Sequence, residues 1–319
     1  MNATPEKIKS LCDDFFRNVI QHDGSLRFTA ESNNFRLLNN GISFESLNHD
    51  SLSAAIVGLT KVLLLPGLNT CIDTDHYALW SWCGELLLGP FAKIKLHNNV
   101  NTTHELINLY ETTVRASLSH CKKQTHTSLE DREADRARLI SEAMNPDNST
   151  IMANNSHLIL GYLTFPLLEG LLKKSCSKYV EMDGTVITEF EATNYKGGLK
   201  KITPPGPCSS LKSLLELHYK YVASQNLKNA IDSFRDVLST LDSARDPFDL
   251  IQSWRNQSLH GTTNFQTIGG TMLNLCLLIS VHEIEAEFES YRSDANSSIP
   301  RSIRMGNQGI HYFPPPCLL

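Results

Sequence analysis

Three residues in one short segment offer this chain's clearest chemistry: Arg255, Asn256 and His260, within Trp254-Arg255-Asn256-Gln257-Ser258-Leu259-His260-Gly261. A ribose 2'-hydroxyl can attack its own phosphodiester without a metal if suitable groups surround it. One must take and give protons near neutral pH, which imidazole does. A second must hold a fixed positive charge on the phosphate as negative charge builds there, and a planar guanidinium suits this. An amide can orient either partner. Asn256 and His260 are four residues apart, so on a helix they share a face. Arg255 and His260 are five apart, ~140° round a straight helix. Imidazole and guanidinium therefore converge only at a distorted helix end or across a two-fold interface between copies.

The pattern Arg-x4-His, with Asn after the Arg and Gly after the His, lies in a polar link before a last apolar helix expected over residues 271–291. It resembles the motif of the HEPN superfamily. Upstream, Pro166-Leu167-Leu168-Glu169-Gly170-Leu171-Leu172-Lys173-Lys174 resembles the acidic helix such domains place beside that motif, with Glu169 and Lys173 one turn apart. The likeness covers roughly residues 150–291. It implies a dimerising helical bundle with two motifs lining one cleft. It also implies a metal-independent endoribonuclease that leaves a 2',3'-cyclic phosphate, as in toxins and anti-phage defence. In that reading His260 is general acid and base, Arg255 holds the phosphate, Asn256 positions one or both, and Glu169 and Lys173 support them. The partners implied are RNA, a second copy of the chain, and an antitoxin or regulatory protein. Neither a cofactor nor a metal is expected. The competing reading keeps the bundle as a non-catalytic binding or scaffold module. In a third, Arg255 and Asn256 cap a helix end and His260 packs in a turn.

Two further Arg-x4-His segments occur, Arg17 to His22 and Arg115 to His120. The first also carries Asn after the Arg; neither has Gly after the His. Lys174, Lys178, Lys196, Lys200 and Lys201 are expected either to form a basic patch for RNA phosphates or to be ordinary surface lysines. Tyr195, Tyr219 and Tyr221 could stack bases, but half-buried packing is the role expected of them. His120, Cys121 and His126 lack a fourth ligand at sensible spacing. No phosphate-binding GxxxxGK[ST] loop, dinucleotide GxGxxG or nucleophile-elbow GxSxG is present, which removes those three enzyme classes.

These residues need a scaffold, and the rest of the chain specifies a helical one. Hydrophobic residues make up 41% and charged residues 20%, so most of the chain can bury a core. The net charge of −5 does not draw in nucleic acid by itself; binding must rest on a local patch. The eight cysteines form no CxxC pair, and a reduced thiol state is expected. With no apolar leader and no membrane-length run, the expectation is a cytoplasmic protein that makes no membrane contact. Apolar spacing predicts helices near 8–20, 52–65, 73–88, 103–121, 128–144, 157–179 (kinked at Pro166), 211–223, 226–241, 246–259 and 271–291. Asp183-Gly184 predicts a small β-hairpin over 180–192, and 196–209 reads as a loop. Fold class is thus mostly all-α. The division expected is an N-terminal helical region (1–145), a HEPN-like bundle (146–291), and an extended or disordered tail (292–319).

Overall fold

Helices begin where the sequence places short polar side chains that can accept from otherwise orphaned backbone N–H groups. The computed structural model describes residues 3–19, 30–64, 72–119, 129–144, 151, 155–193, 197–260, 265–304, 312–315 and 317. In chain order the helices are α1 (Pro5–Val19), α2 (Ala30–Asn33), α3 (His49–Leu63), α4 (Thr74–Leu88), α5 (Pro90–His97), α6 (His104–Leu118), α7 (Leu129–Met144) and α8 (Ser156–Ser175). After a hairpin of β1 (Phe190–Thr193) and β2 (Leu199–Ile202) come α9 (Leu211–Leu217), α10 (Gln225–Ser239), α11 (Pro247–Leu259), α12 (Phe265–Glu283) and α13 (Phe288–Arg304). Asn48, Asp73, Thr103, Ser210, Ser224 and Asp246 each cap the following helix with a side-chain oxygen. Pro90 and Pro247 take first-turn positions, where a missing N–H costs nothing. The mostly-α class with a small hairpin stands.

α8 and α12 are strongly apolar and cross closely. Their contact is a glycine pair: a Cβ on Gly269 would lie 2.9 Å from the Gly161 nitrogen. We expect Gly269→Ala to force the helices apart and cost ~1–3 kcal/mol, read as a lower urea midpoint. A smaller loss would mean that the crossing relaxes freely. α3 and α4 are tied to α12 by a buried polar chain. Trp80 Nε1 donates to Asn274 Oδ1 at 2.7 Å, and Asn274 Nδ2 donates to Thr60 Oγ1 at 2.9 Å. One hydrophobic cluster runs from Ile8 and Trp80 to Leu172, Ile251 and Leu278. The expected division near residue 146 therefore does not separate two cores.

Other expectations need correction. The hairpin lies one segment downstream: β1 pairs antiparallel with β2, with Ala192 opposite Lys200. Asp183-Gly184 does form a turn, with Gly184 at φ +96°, but it closes only the single bridge Val180–Val186. α5 was unanticipated. α8 includes the exposed Pro166 and ends at Ser175, short of the expected 179.

The predicted last helix ends at Glu283, turns by 63° and resumes as α13. The glutamates crowding this point disfavour a helix C-terminus, and each has a partner, three of them on other helices. Glu283 binds Lys174, Glu285 accepts from Asn226, Glu287 binds Lys95, and Glu289 binds Arg292. The tail expected to be extended from Arg292 is helical to Arg304, with Tyr291, Ala295 and Ile299 buried. Further on, Tyr312 is also buried, its N–H bonded to Glu85 Oε2 at 3.1 Å.

Cys12, Cys83, Cys176, Cys208 and Cys276 are free and buried, while Cys317 is disulfide-bonded, so a wholly reduced chain is not what the structure has. Among the described residues no single helix is long and apolar enough to cross a membrane.

Candidate functional site

α11 presents the Arg-x4-His segment. Asp246 caps it by accepting from Phe248 N–H at 2.9 Å. Phe248, Ile251, Trp254 and Ser258 are buried at helical spacing and fix its rotation. That rotation turns Arg255 toward α8, where Arg255 Nε donates to Glu169 Oε1 at 2.7 Å. Both side chains are half-buried, at 27% and 22% exposure. Eighty-six residues separate the two, so tertiary packing alone makes the pair. The contact uses Nε. Among the described residues no second carboxylate binds this guanidinium, and neither Nη group makes a hydrogen bond or ion pair.

His260 is the C-cap of α11, at φ −101° and ψ 3°. Its N–H donates to Gln257 O at 3.0 Å, so the backbone is still coiled there. The residue is exposed. Asn256 is exposed too, and its Oδ1 accepts from Gln252 Nε2 at 3.0 Å. Asp249, Gln252, Asn256 and His260 follow at intervals of three, four and four, one stripe along the helix. Because the coil persists to His260, Arg255 keeps its ~140° offset from that stripe. Gly261 lies outside the described residues.

At the other end of the stripe, Asp249 and Gln252 line a cavity of about 300 Å³ with Thr193, Lys200, Ser210 and Lys212. Lys212 is buried and its Nζ binds Asp249 at 2.7 Å. The cavity joins β1, β2, α9 and α11, segments whose meeting no local motif announces.

No family model, curated protein or solved structure matches this chain. Its chemistry must be argued from its own residues.

Of the other candidates, Lys173 Nζ donates to Met182 O at 3.2 Å and holds the Asp183-Gly184 turn. Of the five lysines read as a patch, the four that are described have unlike surroundings. Lys174 is mostly covered and pairs with Glu283 at 2.6 Å. Lys201 pairs with Glu189 at 2.8 Å in the open. Lys178 is exposed, and Lys200 is exposed on the cavity rim. Lys196, Tyr195, His22, His120, Cys121 and His126 lie outside the described residues. Arg17 pairs with Asp14, and Arg115 pairs with Glu111 and lies over the Tyr312 ring. Tyr219 donates to Asp232 at 2.9 Å, whereas Tyr221 is exposed beside Tyr179. A separate cluster, His49, His282 and Glu285, had no sequence signal beyond the three-residue step from 282 to 285.

Proposed function

We propose that this protein is a metal-independent endoribonuclease whose working groups are Arg255, Asn256 and His260. The observation that carries the reading is the Arg255–Glu169 bond, formed across the bundle beside a helix that ends in an exposed imidazole. Glu169 fixes the guanidinium through Nε and leaves a two-pronged Nη face for a phosphate. Such prior fixing lowers the entropic cost of holding the reacting group. His260, in open solvent at a helix end, is the proton carrier. Asn256, one turn back on the same stripe, contacts the imidazole or the phosphate.

One chain keeps imidazole and guanidinium on different sides of α11, so the working cleft forms between two copies related by a two-fold axis. RNA is the substrate, met in the cytoplasm. An enzyme of this kind fits a toxin or an anti-phage effector restrained by an antitoxin or regulatory partner.

The direct test is incubation with end-labelled RNA in EDTA, kept short enough for circular dichroism to show an intact fold. Cleavage leaving a 2',3'-cyclic phosphate is the expected result; intact RNA, or products with 5'-phosphates, overturns the proposal. Glu169→Gln is expected to slow cleavage while moving stability by less than ~1 kcal/mol, because the pair is partly solvated. Unchanged turnover in that variant would remove Glu169 from the mechanism.

A further inference from the structure

We infer that His49, His282 and Glu285 form a binding site for a divalent transition ion of the zinc type, which clamps the start of α3 to the bend between α12 and α13. The two histidines stand at opposite ends of the sequence yet their rings meet edge to face, with centroids 4.5 Å apart. His49 Nε2 and His282 Nδ1 are both buried without a hydrogen-bond partner. Only 3% of the His282 side chain is exposed. Leaving such atoms unpaired is costly, and a fold that does so at two adjacent nitrogens calls for an explanation.

The remaining polar atoms of the three side chains are already engaged. His49 Nδ1 lies 3.0 Å from Asp50 Oδ1. His282 Nε2 lies 3.1 Å from Ser53 Oγ. Glu285 Oε1 accepts from Asn226 Nδ2 at 2.5 Å. With Nδ1–H on His49 directed to Asp50, and Nε2–H on His282 directed to Ser53, the inner nitrogens of both rings carry lone pairs. This is how outer partners orient metal-binding imidazoles: they fix the tautomer and aim the free nitrogen. Glu285 Oε2 supplies the third donor, 3.7 Å from His282 Nδ1 and too far for a hydrogen bond.

Ligand atoms from the three residues all lie within 4.8 Å of one another. A zinc ion holds its donors ~3.3 Å apart, given metal–ligand distances of ~2 Å. Glu285, with 33% of its side chain exposed, has room to swing and close that difference. Two imidazoles and one carboxylate suit zinc better than calcium or magnesium, which prefer oxygen ligands. Water completes the shell on the Glu285 side. The ion would bridge His49 and His282, 233 residues apart, at the bend where the last apolar helix breaks. Arg255 and His260 are not part of the site, and RNA cleavage is not its readout.

The test uses the full chain, stripped with a chelator and dialysed. Zn²⁺ is titrated against a chromogenic competitor, and Co²⁺ absorption reports the coordination. The expected result is one ion per chain and a raised unfolding temperature. His49→Gln and Glu285→Gln should each weaken binding at least ~10-fold, since loss of even an outer partner typically costs 10–100-fold. Glu285→Gln changes a partly exposed group and keeps the fold testable, which circular dichroism checks. Absence of saturable Zn²⁺ binding overturns the inference. So does stoichiometric binding that both folded variants retain, or anomalous scattering from zinc-soaked crystals that places the ion elsewhere.

Discussion

RNA cleavage is expected to fall by about 10²- to 10⁴-fold when His260 is replaced by alanine, with the unfolding midpoint left in place. The two halves of that expectation have separate grounds. General acid–base catalysis by a positioned imidazole contributes a factor of that size. The stability half follows from exposure: His260 caps α11 through its backbone, and its side chain stands in solvent. Exposed substitutions away from caps and ion pairs stay within ~0.5 kcal/mol. Arg255→Lys should be nearly as damaging as Arg255→Ala, because an ammonium cannot both bind Glu169 and present a fork to the phosphate. Mixing inactive His260→Ala and Arg255→Ala chains separates the two geometries. If the cleft is shared between copies, heterodimers regain one intact pair, and roughly a quarter of the activity returns. If each chain acts alone, mixing restores nothing. Full activity in His260→Ala ends the catalytic assignment.

Local physics was legible in the sequence, and the assembly of distant segments much less so. Asp73, Thr103 and Asp246 could be read as helix starts because a cap needs only its own first turn. α13 could not. Its buried residues Phe288, Tyr291, Ala295 and Ile299 keep helical spacing, but Ser, Asn and Asp between them dilute the apolar signal. The break after Glu283 likewise depends on cations that α5, α8 and α10 bring to the glutamates, or on an amide in the case of Asn226. At the candidate site, the spacing of Arg255, Asn256 and His260 was readable, as was the ~140° offset. The bond between Arg255 and Glu169 was not readable, since it depends on how α8 lies against α11. The surroundings of Lys174 were hidden for the same reason: it meets a carboxylate, Glu283, that sequence distance conceals. His49 and His282 share no local pattern at all.

Acid should loosen the fold through His218, by about 3 kcal/mol between pH 6.5 and pH 4. Only 2% of this residue is exposed, at the turn that follows α9. Burial pushes its pKa down from 6.5 to about 4, and the nearby Glu283 only partly offsets that. The folded state thus binds the proton less tightly than the unfolded chain. Stability is complete above the unfolded value of 6.5, and it is lost as pH falls toward the folded value. A displacement of that width corresponds to about 3 kcal/mol when fully expressed, and to about 2 kcal/mol at pH 5. Asp75 acts with the opposite sign. Its carboxyl, raised to about 6 by burial and by Asp73, favours the fold on acidification over much of the same range. The total pH slope therefore mixes opposing groups, and His218 must be isolated by difference. Urea unfolding of the wild type and of His218→Gln, at pH 7 and pH 5, does this. Asp75 and His282 are common to both proteins and cancel. The wild type should lose about 2 kcal/mol more than the variant across that interval. Parallel losses in the two proteins would mean that His218 stays neutral in both states or reaches water when folded, and the acid response would then belong to other groups.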